Sequence, residues 1–119
     1  MTRLFNRLAA TGLAIALCAA PVFSQSNNVI EWVPSLTLKV GQSAVVHGVR
    51  GKCGAMPSSK KLKTRYFRTG KLTYGKPGMR QSATCGGLTP AVEAVFVATK
   101  PGAERFEISN DIIRVTVTQ

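Results

Sequence analysis

From residue 29 onward the apolar side chains of this chain recur at every second position. In SLTLKV, Leu36, Leu38 and Val40 alternate with Ser35, Thr37 and Lys39; in IIRVTVT, Ile113, Val115 and Val117 alternate with Arg114, Thr116 and Thr118. Successive side chains of a strand point to opposite faces, so this period describes strands with one face buried. The pattern predicts strands over 29–33, 35–40, 44–49, 61–68, 71–75, 91–99 and 112–118, with an eighth over 104–108. Gly41-Gln42-Ser43, Lys100-Pro101-Gly102-Ala103 and Asn110-Asp111 punctuate them with turn residues. No segment after residue 28 keeps a helical period over three turns. Short strands separated by Gly, Pro and Asn predict an all-β antiparallel sandwich of about seven to eight strands in one domain.

The N-terminal pattern is different. Arg3 and Arg7 precede the apolar run LAATGLAIALCAAPVF, and Val22 and Ser24 stand at the small-residue positions of a cleavage site before Gln25. That order describes a secretory signal peptide over 1–24, with a mature domain over 25–119. Pro21 ends the run well short of the roughly 20 apolar residues that a membrane-spanning helix needs, so no transmembrane helix is expected in the mature chain. Cys18 follows Leu17 rather than a small residue, which departs from the lipid-modified pattern. The expected location is periplasmic or secreted.

Export changes the cysteine count. Three cysteines become two once Cys18 leaves with the signal, and in an oxidising compartment Cys53 and Cys85 are expected to pair. They lie in two stretches without strand character, 50–60 and 76–90, read as long Gly-, Pro- and Ser-rich loops. Gly86-Gly87 after the second cysteine reads as a sharp turn beside the bridge.

The segments LTLKVGQSAVV, AVFVATKPG and IIRVTVT resemble bacterial immunoglobulin-like domains, which open with a strand running into Val-Gly and close with a strand, a Pro-Gly turn and a last strand in Val-x-Val. The resemblance implies an immunoglobulin-like β-sandwich. The middle of the chain departs from it, and the cysteines are not the antibody pair: Trp32 precedes both, and Ala83 stands two residues before Cys85. No functional residue is carried over.

Charge adds the candidate site. The whole chain carries a net charge of +11, which becomes +9 once Arg3 and Arg7 are removed. From Lys60 to Arg80 there are eight cations, Lys60, Lys61, Lys63, Arg65, Arg68, Lys71, Lys76 and Arg80, and no acid. In strand register Lys61, Lys63 and Arg65 share one face and Thr69-Gly70 turns the chain, so the stretch reads as an amphipathic hairpin. Phe67 falls on its basic face, placed to stack on a ligand. Two readings fit: a surface for a polyanion, or a solvated face whose lysines keep an edge strand from pairing with other chains.

Catalysis and metal binding have little to stand on. The one histidine, His47, sits in a strand pattern, and Ser43, His47 and Asp111 could form a triad only if the fold gathered them. Glu104, Glu107 and Asp111 are expected to pair with Arg105 and Arg114. A single histidine rules out a blue-copper ligand set, and a copper(I) site from His47, Met56 and Met79 lacks close ligand spacing. No cofactor is expected. The composition thus describes an exported, non-enzymatic binding or structural module of the cell envelope. Its partner would be an envelope protein or an anionic polymer such as lipopolysaccharide or teichoic acid, with no specific nucleic acid. A second class is protease inhibition, since small exported inhibitors of the chagasin type are similar in opening strand and end loops. Their Asn-Pro-Thr-Thr-Gly-Tyr loop is replaced here by Gly-Lys-Cys-Gly-Ala-Met-Pro over 51–57.

Overall fold

A computed structural model describes residues 28–119. The expected signal segment, its cut site and Cys18 lie outside them. Seven strands form: β1 (Ser35–Lys39), β2 (Ser43–Arg50), β3 (Arg65–Tyr66), β4 (Gly70–Ser82), β5 (Gly87–Ala98), β6 (Gly102–Ile108) and β7 (Asp111–Thr118). They make two sheets, β1-β7-β6 and β2-β5-β4-β3, which bury one set of alternating side chains between them. The protein is a small all-β, sandwich-like domain. No helix among the described residues is long and apolar enough to cross a membrane.

The period-two segments became strands because their inward faces meet. Leu38 of β1, Phe96 of β5, Phe106 of β6 and Ile113, Val115 and Val117 of β7 are all buried in one cluster. One pairing departs from the antiparallel expectation: β1 runs parallel to β7, with Leu36 beside Val115 and Leu38 beside Val117. Two short strands from opposite ends of the domain can pair this way without a crossover of their own. The β6–β7 turn is Ser109-Asn110, one residue earlier than expected. Both residues have positive φ (52° and 71°), the backbone that a two-residue hairpin of the right twist requires.

Three expectations are corrected. Residues 76–90 are not a loop: β4 and β5 pair from Gly70↔Ala98 to Ser82↔Gly87, leaving a tip of only four residues, 83–86. The strand expected over 61–68 is broken: a 3₁₀ turn, Ser59–Leu62, takes its first two residues, and only Arg65–Tyr66 form a strand, the two-residue β3. The strand expected over 29–33 makes one isolated bridge, Val29 with Met79. Its chain instead crosses one face of the four-stranded sheet. Ile30 N–H donates to Met79 C=O on β4, and Val33 N–H donates to Val46 C=O on β2. That crossing needs Gly78, where a Cβ would stand 2.3 Å from the Asn28 carbonyl oxygen.

Cys53 and Cys85 are joined in one chain, with Cα atoms 5.4 Å apart. The bridge fastens the 51–58 loop to the tip of the β4–β5 hairpin, helped by Gly54 N–H donating to Thr89 Oγ1 at 2.9 Å.

Candidate functional site: a basic end of the sandwich

The fold divides the eight cations of the basic stretch. Lys60 and Lys61 sit on the 3₁₀ turn and Lys63 follows it, so Lys61, Lys63 and Arg65 do not form one strand face. Arg68 lies at the β3–β4 turn, and Lys71 beside it pairs with Tyr66. That turn stands at the opposite end of β4 from Arg80. Lys76 occupies a bulge in β4, where Glu93 Oε1 accepts its backbone N–H at 3.0 Å.

Four of the eight, Lys61, Arg65, Arg68 and Arg80, donate to backbone carbonyls, and two of these reach across to the other sheet. Arg65 Nη1 donates to Glu107 C=O at 2.9 Å, and Arg68 Nη2 reaches Ala103 C=O at 3.5 Å. Both carbonyls belong to β6, the outer strand of its sheet, so these arginines occupy acceptors that another chain could otherwise pair with. Phe67 does not stand free on a basic strand face. Its ring lies 4.9 Å from Phe106 and 6.2 Å from Phe96, half-buried against the core, with the Arg65 guanidinium 5.3 Å above it.

What the fold does gather is Lys61 and Arg80 together with Arg50, a residue outside the stretch. These three line a cleft of about 450 Å³ with Ser82 and Thr84 of the hairpin tip and Ser109-Asn110-Asp111 of the β6–β7 turn. Arg50 and Arg80 share a sheet face, because they pair with Ala91 and Thr89, two positions apart on β5. A second cleft of about 310 Å³ adjoins, sharing Arg50, Lys61 and Ser109 and adding Arg65. Arg50 ends β2 directly before the cysteine loop. A cation at that junction gave no signal until the hairpin tip was known to fold back beside it.

One acid, Asp111, stands among the cleft's cations, where it pulls the Arg80 pKa up more than Arg50 pushes it down. Among the described residues no lysine or arginine has a carboxylate within 4 Å, and the one side-chain pair within that distance is His47 with Asp111. The expected pairing of Glu104, Glu107 and Asp111 with Arg105 and Arg114 does not form. Glu104 Oε1 instead accepts the Thr69 N–H and hydroxyl at 3.2 and 2.8 Å, and Glu93 accepts the Lys76 N–H.

Of Ser43, His47 and Asp111 the fold brings His47 and Asp111 together, while Ser43 stays at the other end of β2, paired with Val97. A bulge after Val45 re-aims the histidine: His47 comes opposite Ala94 and faces inward, where it is buried. Gly48 N–H donates to Nδ1 at 2.8 Å, so Nε2 carries the proton and donates to Asp111 Oδ2, also at 2.8 Å. Both ring nitrogens are thus engaged in hydrogen bonds. Trp32 stacks on the ring at 6.2 Å and donates from Nε1 to Ile112 C=O. No group of three His, Cys, Asp or Glu gathers among the described residues.

Burial holds the His47 pKa below its ordinary value of 6.5; the Asp111 hydrogen bond works against this, and the nearby Arg80 charge adds to it. The unfolded chain therefore takes up this proton first as the pH falls. Stability from the neutral ring is full above about pH 6.5 and is lost as the pH drops below that value toward the lowered pKa. His47 is the chain's only histidine, so its single Cε1–H resonance reports the titration without ambiguity. Its midpoint is expected below 6.5 in the folded protein, and a midpoint above 6.5 would show that the Asp111 contact dominates burial.

No protein-family model, curated protein or solved structure matches the chain, so the residues of the site carry the functional reading by themselves.

Proposed function

We propose that this protein is an exported, non-enzymatic binding module of the cell envelope, built on an immunoglobulin-like sandwich, that holds an anionic polymer at its basic end. The observation that supports this most is the unspent charge. Glu93, Glu104 and Asp111 accept hydrogen bonds from backbone amides, a hydroxyl and a histidine, while no lysine or arginine among the described residues has a carboxylate within 4 Å. Arg50, Lys61 and Arg80 stand around one cleft, and like charges repel at short range. A polyanion removes that cost and releases its own condensed counterions on binding. The disulfide and the signal-like N-terminus fit a location outside the cytoplasm.

The test compares two triple variants in the exported protein, whose intact mass is expected to correspond to a chain beginning at Gln25. Lys60→Gln/Lys61→Gln/Lys63→Gln removes three charges near the clefts. Lys39→Gln/Lys100→Gln/Arg114→Gln removes three exposed charges elsewhere. The first set is expected to elute from heparin at clearly lower salt than the second, and to show a shallower dependence of affinity on salt. Equal shifts would mean that bulk charge alone is being measured, and would sink the proposed location.

A further inference from the structure

The cleft between the hairpin tip and the β6–β7 turn has features that a general polyanion surface does not need. Its cations come from three separate elements: Arg50 from the end of β2, Lys61 from the 3₁₀ turn and Arg80 from β4. Two of them are held in place by backbone carbonyls. Arg80 Nη1 donates to Gly48 C=O at 3.0 Å and its Nε to Gln81 C=O at 3.1 Å; Arg50 Nη1 donates to Gly51 C=O at 2.8 Å. Lys61 Nζ is 3.3 Å from Arg50 C=O. Positioned guanidinium groups lose less freedom on meeting a ligand than free ones do.

Ser82, Thr84, Ser109 and Asn110 add neutral hydrogen-bonding groups to the lining, with Ala83 between the first two. One carboxylate, Asp111, also lines the cleft and would repel an anion, but its Oδ2 accepts the His47 Nε2–H. The hairpin-tip wall lies next to Cys85, so the disulfide holds it. Partial burial and the adjacent Arg50 both push the Arg80 pKa down, against the pull of Asp111; an arginine stays charged regardless. The largest of these effects is burial, a desolvation of the Arg80 guanidinium that a bound anion would offset.

We propose that this cleft binds one tetrahedral oxyanion, a phosphate or sulfate group carried on a sugar, between Arg50, Lys61 and Arg80. Arginine forks match the oxygens of such a group in pairs, and the serine, threonine and asparagine side chains supply neutral donors for the remaining oxygens and for sugar hydroxyls. A volume of about 450 Å³ exceeds what one phosphate fills and lies within the range of small-ligand pockets, which is why a sugar-borne group fits better than a free ion. The inference deepens the polyanion reading, for which this cleft would be the point of recognition along the polymer. Binding of a small ligand does not depend on that reading and is measured apart from it.

The experiment is an NMR titration of the purified protein at constant ionic strength with glucose 6-phosphate, inorganic phosphate, inorganic sulfate and glucose. Glucose 6-phosphate is expected to give saturable shifts confined to amides of 82–85 and 109–111, with inorganic phosphate or sulfate weaker at the same amides and glucose silent. Arg50→Gln/Lys61→Gln is expected to weaken glucose 6-phosphate at least tenfold, and Lys39→Gln/Lys100→Gln to leave it unchanged. Arg80→Lys keeps the charge but loses the fork, and is expected to weaken binding by a smaller factor; thermal melts of each variant separate loss of binding from loss of fold. Linear, unsaturated shifts spread over the surface would overturn the site, as would equal losses in the two double variants. If heparin retention fails while glucose 6-phosphate saturates, the polymer reading falls and the cleft stands; the reverse outcome removes the cleft and leaves the polymer surface.

Discussion

Replacing both Cys53 and Cys85 with serine is expected to lower the unfolding free energy by about 3–4 kcal/mol, from the entropy that a 32-residue separation restores to the unfolded chain. A domain of this size has roughly 5–15 kcal/mol in total, so the loss is a large share. At roughly 4–8 °C per kcal/mol for a domain of this length, the thermal midpoint should fall by well over about 10 °C. The effect has a native-state side too. The bridge fastens the 51–58 loop to the hairpin tip, and only one further hydrogen bond, Gly54 N–H to Thr89 Oγ1, spans from that loop to β5. Reduced wild-type protein should melt with the double-serine variant, and oxidised wild-type protein well above both. Coincident melts of oxidised and reduced protein would mean that the loop holds its place without the bridge.

The bridge also shows where sequence reading succeeds and where it stops. Pairing followed from counting the cysteines left if a signal peptide is removed, which needs no geometry. The strands β1 and β7 were legible because each presents one apolar face to one core, and Leu36, Leu38, Val115 and Val117 alternate cleanly. The outer half of the β4–β5 hairpin was not legible because its composition answers to other constraints. Gly78 is required by the Asn28 backbone that crosses above it. Pro90 is tolerated because its partner Met79 directs its own N–H and C=O to Asn28 and Ile30, so no ladder bond is lost for want of a proline donor. A stretch rich in Gly, Pro and Ser therefore became a paired hairpin.

The candidate site was legible in its charge and not in its shape. Lys61 and Arg80 stood in the basic stretch, but a uniform strand register placed Lys61 beside Lys63 and Arg65, and the 3₁₀ turn removes that register. Arg50 carried no signal, because its neighbours in the cleft are 11 and 30 positions away and meet it only through tertiary structure. His47 was read as an ordinary strand histidine. Its burial depends on a bulge, a one-residue irregularity that apolar periodicity does not reveal.

The largest single-residue effect is expected at Phe96. Its ring is fully buried on β5, 5.6 Å from Phe106 of the other sheet and 6.2 Å from Phe67, so it sits where both sheets and the segment after β3 meet. Phe96→Ala removes that ring and leaves a cavity that neighbours on two sheets cannot both close, a loss of about 3–5 kcal/mol. Phe67→Ala is expected to destabilise in the same direction by less, since the ring is half-buried and touches the cluster from one side. The pair of variants also decides what Phe67 is for. If it belongs to the core, Phe67→Ala lowers the urea midpoint with an unchanged slope and leaves heparin elution of the folded protein where it was. Its loss would also free the Arg65 guanidinium, which stacks over Phe67 and Phe106 while donating to Glu107, and would loosen the cover on the β6 edge. A Phe67→Ala protein as stable as wild type, but eluting earlier from heparin, would return the ring to the binding surface and contradict the packing described here.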